Sequence, residues 1–169
     1  MDTIINKVSE SGLVTIDPAD FYTPGKRAVI DLKPLLVEEF LLREKDFRDY
    51  IKTTDWSQYQ NSFVTLHCSN DAIIPVWAYM LLTVALEPFA AAIFYGTSDE
   101  MEQSLFSQKI SQFDPEIYRD KRIVIKGCGD VHVPVSVYME LTRLLHPLVK
   151  SIMYGEPCST VPVYKKINL

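Results

Sequence analysis

One long stretch occurs twice in this chain, and it constrains the fold more than any other feature. Residues 64–96 align without a gap with residues 123–155, at an offset of 59 positions. Twelve of the aligned positions are identical, whereas ordinary composition would give roughly two. In the first copy they are Asp71, Pro75, Val76, Tyr79, Met80, Leu82, Thr83, Leu86, Pro88, Ile93, Tyr95 and Gly96. A repeat of this length is typical of a duplicated supersecondary unit.

The length and composition indicate a globular chain. With 169 residues, of which 47% are hydrophobic and 23% charged, the chain is long enough to form one domain with a sizeable core. The net charge is −5 and the 17 basic residues are scattered. Since binding nucleic acid requires clustered Lys and Arg side chains, we expect no nucleic-acid partner.

The cysteine count and the absence of a targeting signal favour the cytoplasm. The first residues have neither the basic nor the apolar region of a secretion signal. The longest uncharged apolar run, Ala72–Leu86, has fifteen residues, fewer than the ~20 that a membrane helix needs. Three cysteines, an odd number, are typical of free thiols in a reducing compartment. We therefore expect a cytoplasmic protein without a membrane partner.

Strand and helix patterns alternate along the chain. Short runs of β-forming residues predict strands, and these lie at residues 13–16, 28–32, 63–66, 92–95, 122–126 and 149–153. Apolar spacing and helix start and stop signals predict helices, and these lie at residues 44–52, 75–86, 97–110 and 134–145. Thr97 with Glu100 forms a capping box for the third of them. The tail 156–169 contains two prolines and is expected to be irregular.

This alternation predicts an α/β fold, because strands that alternate with helices build βαβ units around a parallel sheet. We expect one domain over residues 1–169, a three-layer sandwich with a mainly parallel sheet. Its core would be the duplicated βαβ unit, at residues 63–96 and 122–155. The strands within residues 1–60 would extend one edge of that sheet.

Four loops are expected at the carboxyl ends of the strands, where open α/β sheets bind their ligands. They comprise residues 67–71, 96–99, 127–130 and 155–160. All three cysteines, Cys68, Cys128 and Cys158, fall in three of these loops. We therefore predict that the cysteines converge at the carboxyl edge of one parallel sheet.

Three kinds of site remain open there. The three thiolates with His132 or a water could bind Zn²⁺ tetrahedrally, although the chain has no Cys-x-x-Cys pair. Cys128, which lies between two glycines near a predicted helix start, could instead be an activated nucleophile. The third alternative is a pocket for a small ligand. Its candidate residues are Ser69, Asp71, Cys128, Asp130, Ser159 and Thr160.

Simpler structural explanations compete with these sites. Cysteine is a small hydrophobic residue that is often buried near strand ends. Asp71 and Asp130 could form a general acid and base pair. Their repeated position before a helix is more typical of capping, so we expect both to accept hydrogen bonds from backbone amides near the helix starts.

The sequence lacks the motifs of nucleotide cofactors. Neither G-x-G-x-x-G nor G-x-x-x-x-G-K-[ST] occurs. The run Gly127-Cys128-Gly129 resembles part of a dinucleotide loop, but position 132 is His where that loop has its third glycine. We therefore expect neither NAD nor ATP as a cofactor.

The two copies of the repeat differ on one face of their predicted helices, residues 75–86 and 134–145. In the first copy this face carries Trp77, Leu81 and Val84. The equivalent residues of the second copy are polar: Ser136, Glu140 and Arg143. A large apolar face must be covered by other atoms. Either the N-terminal segment 1–60 packs over it or, as we expect, two such helices pack across a two-fold axis in a homodimer.

Several stretches are similar to those of a known family. They include Glu44-Lys45-Asp46-Phe47-Arg48, Asp55-Trp56-Ser57-Gln58-Tyr59, Asp71-Ala72-Ile73-Ile74-Pro75, Trp77-Ala78-Tyr79-Met80, Lys126-Gly127-Cys128-Gly129-Asp130 and residues 151–162. Through these stretches, nearly the whole chain resembles a bacterial family catalogued as domain of unknown function 2480. The resemblance implies a bacterial, cytoplasmic protein and supplies no activity, so no catalytic residue is carried over.

Two functional hypotheses follow from the sequence. The first is a protein that binds a small ligand or a metal at the cysteine-bearing edge of the sheet, with or without catalysis. The second is a homodimeric interaction or structural module without catalytic activity, in which the cysteines are structural.

Overall fold

The computed structural model describes residues 12–127, 129–156 and 158–167. Within these residues the strands are β1 (Leu13–Ile16), β2 (Lys26–Asp31), β3 (Ser62–His67), β4 (Ala92–Tyr95), β5 (Arg122–Ile125), β6 (Ser151–Glu156) and β7 (Ser159–Lys165). The α-helices are α1 (Glu44–Thr53), α2 (Val76–Leu86), α3 (Ser98–Ile110) and α4 (Val135–Leu145).

The strands form two sheets. One has three strands in the order β2-β3-β4, and the other has four in the order β1-β5-β6-β7. All neighbouring strands pair parallel except β6 and β7, which pair antiparallel. The α/β class and the mainly parallel pairing are therefore confirmed. The expectation of a single sheet is wrong, because the two N-terminal strands extend different sheets: β1 pairs with β5, and β2 with β3.

The chain divides into two compact units that follow the two sheets. The three-stranded unit comprises Pro24–Glu102. The four-stranded unit comprises the described residues up to Thr23 together with those from Gln103 onward. The boundary between the units falls within α3.

Each unit has its own apolar core, and one helix stripe is central to each. Ala78, Leu82 and Leu86 recur every four residues along α2 and are completely buried in the three-stranded unit. The equivalent stripe of α4 is buried in the four-stranded unit and consists of Val137, Leu141 and Leu145. This spacing places the side chains on one face of a helix, which is why burying them fixes each helix to its core.

The strand registers and helix bounds of the two βαβ segments match at the offset of 59 residues. The register between β5 and β6 reproduces the register between β3 and β4, and α4 begins and ends at the repeat equivalents of the ends of α2. Tyr79 packs edge-on against Tyr95 with ring centroids 5.2 Å apart. Tyr138 packs in the same way against Tyr154, at 5.8 Å. Tyr79 and Tyr138 therefore occupy equivalent helix positions.

The helix starts are partly as expected. The capping box of α3 is confirmed, because Thr97 N donates to Glu100 Oε2 at 2.6 Å and Glu100 N donates to Thr97 Oγ1 at 3.3 Å. The capping role expected for Asp71 and Asp130 is wrong. Prolines precede α2 and α4 at the cap positions, with φ of −60° and −58°, and neither helix has a side-chain cap. The fixed φ of these prolines orients the entering chain, and the aspartates lie upstream in exposed loop positions.

The C-terminal tail is ordered as strand β7, which corrects the expectation of an irregular segment. It pairs with β6 along Ser159–Lys165. Pro162 lies opposite Met153, next to a register shift in the pairing. Proline is tolerated at this position because β7 is an edge strand with a bulge, where a backbone amide is not needed for the ladder.

The N-terminal region covers part of the apolar face of α2. Trp77 packs edge-on against Phe47 of α1, with ring centroids 5.7 Å apart, and Leu81 is half-buried against the same core. Val84 is 73% exposed. Of the three residues predicted to form an interface, two are thus packed within the unit and the third remains open.

None of the helices in the described part of the chain is both long and apolar enough to cross a membrane.

Candidate functional site

The predicted site residues that follow β3 belong to the three-stranded unit. Ser69 N and Ser69 Oγ donate to the carboxylate of Asp31 at 2.9 and 2.6 Å. Burial raises the pKa of Asp31, but these two hydrogen bonds and one from the Lys33 amide outweigh it, so the pKa is lowered overall. Cys68 is half-buried against the core, and Asp71 is exposed. Through these hydrogen bonds Ser69 joins the loop after β3 to the end of β2.

The predicted site residues that follow β6 lie in the β6–β7 hairpin of the four-stranded unit. Cys158 is exposed in the turn, and Ser159 begins β7. Thr160 Oγ1 donates to the Met153 sulfur at 3.6 Å. Cys158, Ser159 and Thr160 therefore lie in the turn and at the start of the second strand of this hairpin.

The cysteines do not converge at one sheet edge as predicted. Cys68 follows a strand of the three-stranded sheet and Cys158 a strand of the other. Cys128 lies outside the described residues. Among residues 12–127, 129–156 and 158–167, no three His, Cys, Asp or Glu side chains are grouped to hold a metal ion. The argument for a zinc site of Cys68, Cys128, Cys158 and His132 rested on a common edge, so it loses its basis.

A polar cavity of about 460 Å³ lies at the carboxyl edge of the four-stranded sheet. Its walls include Asp17, Lys126, Gly127, Gly129, Val131, His132 and Tyr138. An adjoining recess is lined in addition by Asp130 and Glu156. Asp17 and Lys126 directly follow the neighbouring parallel strands β1 and β5. The cavity therefore occupies the position at which α/β sheets bind ligands.

An ion pair joins the two strand ends. Lys126 Nζ donates to Asp17 Oδ2 at 2.9 Å, and the Ala19 amide donates to Asp17 Oδ1 at 2.9 Å. The hydrogen bond from Lys126 lowers the pKa of Asp17, and the Ala19 amide lowers it further. The same hydrogen bond raises the pKa of Lys126. Both side chains are therefore charged at neutral pH.

Further charged and polar groups surround this pair. The carboxylates of Glu156 and Asp130 lie close enough to contribute to the raised pKa of Lys126. His132 is exposed at the cavity wall. Of the residues predicted for the site, the structure thus brings Asp130 and His132 together at one edge. The cavity offers an ammonium group, an imidazole and several carboxylates, so it can both donate and accept hydrogen bonds.

Gly127 lets an aromatic ring approach the cavity. A Cβ atom added at Gly127 would lie 2.6 Å from Cζ of Tyr154, closer than real contacts allow. Tyr154 Oη donates to the Gly127 carbonyl at 3.5 Å, and Tyr138 packs against the same ring. A side chain at position 127 would therefore require the Tyr154 ring to move.

Asp17 and Lys126 were not predicted from the sequence as site residues. The sequence did contain a signal for Asp17, because the pair Asp17-Pro18 directly follows β1 and such a pair is typical of a capped turn. Asp17 caps a 3-10 turn at Pro18–Phe21, as Asp114 caps one at Pro115–Tyr118. Lys126 was predicted as the last residue of a strand, whereas β5 ends one residue earlier.

Comparisons with known proteins identify a family for the chain but no characterised relative. Comparison with curated proteins and comparison with solved structures each find no match. A family model described as protein of unknown function (DUF2480) matches residues 2–166. This match spans nearly the whole chain and confirms the resemblance seen in the sequence stretches. The chain therefore belongs to the DUF2480 family.

Proposed function

We propose that the polar cavity of the four-stranded unit binds a small polar molecule. The observation that carries this proposal is the Lys126–Asp17 ion pair, which lies in a polar cavity at the carboxyl edge of a parallel sheet. Surface ion pairs contribute little to stability. A pair that joins the ends of two strands inside a cavity is better suited to orienting a ligand than to stabilising the fold.

The chemistry of the wall favours a ligand with hydrogen-bonding groups and little apolar surface. Lys126 supplies a positive charge, and Asp17, Asp130 and Glu156 supply negative charges. A ligand that carries both an acidic and a basic group, such as an amino acid, would complement these charges. Charge-assisted hydrogen bonds of this kind are stronger than neutral ones.

The test is a ligand screen with a matched pair of variants. Thermal shift of the wild type would be measured with amino acids, small carboxylates and sugar phosphates, and each hit would be titrated by calorimetry. We expect Lys126→Gln to weaken binding of the hit by about tenfold or more, because it removes a charged donor. Lys109→Gln removes the same charge from an exposed position of α3 and should bind like the wild type. Equal affinity of all three proteins, or no hit, would contradict the proposal.

A second candidate function, a homodimeric interaction module, is favoured by a stripe on α2. Val76, Met80 and Val84 are spaced four residues apart and are 73%, 64% and 73% exposed. The interface proposed here therefore differs from the one predicted from the sequence. It retains Val84 but contains Val76 and Met80 in place of Trp77 and Leu81. Two copies of the stripe packed across a two-fold axis would remove these side chains from water.

The dimer is tested by its oligomeric state. We expect the wild type to be a dimer at micromolar concentration by light scattering, and Met80→Glu to be a folded monomer, because it places a carboxylate in the apolar stripe. Met139→Glu makes the same change at the equivalent position of α4, where Arg143 replaces Val84, and should remain dimeric. A monomeric wild type would rule this function out.

A further inference from the structure

A second cavity in the four-stranded unit differs in character from the polar one. It is a cleft of about 540 Å³ that lies beside α4 and over β6 and β7. Its walls are mostly apolar and include Met139, Met153, Tyr154 and Val163. This volume lies within the range of small-molecule sites.

The cleft exists because β7 extends the sheet beyond the helix that covers it. The buried stripe of α4 packs on β5 and β6, through residues such as Leu141 and Ile152. β7 adds a further strand at the edge, and Val161 and Val163 on it remain 62% and 52% exposed. The cleft therefore combines an apolar floor with an open side.

Two basic side chains stand at one end of the cleft. Arg143 and His146 line it from the C-terminal half of α4, and Tyr138 lines it from the other half. Arg143 makes no ion pair with another described residue. His146 packs against Tyr164, with ring centroids 4.3 Å apart. The guanidinium of Arg143 is thus not neutralised by an ion pair among the described residues.

The first copy of the repeat lacks this arrangement. Val84 and Glu87 stand at the positions of Arg143 and His146. The strand β4, which corresponds to β6, is an edge strand and has no partner equivalent to β7 among the described strands. Arg143, His146 and the additional strand β7 therefore occur together only in the four-stranded unit among the described residues.

We propose that this cleft binds an amphipathic carboxylate, a medium-chain fatty acid. Its carboxylate contacts Arg143, and its chain lies along Met139, Tyr154 and Val163. The cleft volume of about 540 Å³ is large enough to hold a medium-chain acid. Burying the chain supplies affinity, and the charge-assisted hydrogen bond to Arg143 selects the anion.

Decanoate is the probe that tests this site. Calorimetric titration would compare the wild type with Arg143→Gln, and with Lys109→Gln as the control that loses a charge outside the cleft. We expect binding of decanoate to weaken about tenfold or more in Arg143→Gln and to stay unchanged in Lys109→Gln. Val163→Asp, which places a carboxylate at a half-exposed position of the floor, should abolish binding.

The head group is tested separately with ligands of the same chain. Decyltrimethylammonium and decanol should bind at least about tenfold more weakly than decanoate, because neither can accept a hydrogen bond from Arg143 as a charged oxygen does. The proposal is overturned if the wild type does not bind decanoate, if Arg143→Gln binds it as well as the wild type, or if decanol binds equally. Circular dichroism of each variant confirms that the fold is intact.

Discussion

Gly155→Ala is expected to destabilise the four-stranded unit by about 2 to 4 kcal/mol. Gly155 has a φ of +122°, a conformation that residues with a side chain rarely adopt. A Cβ atom there would also lie 2.5 Å from the carbonyl oxygen of Ser159, which belongs to the backbone of β7. Since the strand cannot move aside as a flexible side chain would, the β6–β7 hairpin must distort.

This expectation is checked by urea unfolding followed by far-UV circular dichroism. Gly129→Ala is the matched control, because a Cβ atom at Gly129 would meet no atom within 4 Å. The control should change the free energy of unfolding by less than about 0.5 kcal/mol, as most surface substitutions do. If the two variants were equally stable, the close approach of β7 to Gly155 would not exist in solution.

Local structure was predictable from the sequence because its causes are local. The capping box at Thr97 and Glu100 and the apolar spacing of α2 and α4 determine where these helices lie. The tail was predicted wrongly because its two prolines were taken to indicate irregular structure, and Pro162 in fact lies within β7. Its effect depends on β7 being an edge strand, which is a property of the sheet and not of the segment.

The division into two sheets could not be predicted in the same way. The repeat indicates two βαβ segments but not whether their strands pair with one another. Whether the strands form one sheet or two depends on where the N-terminal strands pair. β1 pairs with β5, which is far away in sequence. Cys68 and Cys158 were assigned to one edge on the assumption of one sheet, so this prediction failed with it.

The candidate site was only partly predictable for a related reason. Asp130 follows β5 and was found because ligands bind beyond the carboxyl ends of strands, whereas His132 was named only as a possible zinc ligand. Asp17 follows β1, and its link to Lys126 spans 109 residues. Without the pairing of β1 and β5, nothing in the sequence places these two charges together.

Truncating the central leucine of either buried helix stripe is expected to cost about 2 to 5 kcal/mol. Leu82 in α2 and Leu141 in α4 are completely buried at equivalent positions of the repeat. Leu82→Ala and Leu141→Ala would each leave a cavity between the helix and its sheet, and the surrounding core can relax only partly. Met139→Ala, beside Leu141 but 69% exposed, should cost less than about 1 kcal/mol.

Two spectroscopic signals assign each loss to its own unit. Both tryptophans, Trp56 and Trp77, belong to the three-stranded unit, so tryptophan fluorescence during urea unfolding follows that unit. Leu82→Ala should lower the urea midpoint of the fluorescence transition. Leu141→Ala should lower the midpoint seen by far-UV circular dichroism, to which the helix and strands of the four-stranded unit contribute. A cost below about 1 kcal/mol for either leucine would mean that its helix does not pack on the sheet as the structure shows, because full burial of a leucine requires a larger loss.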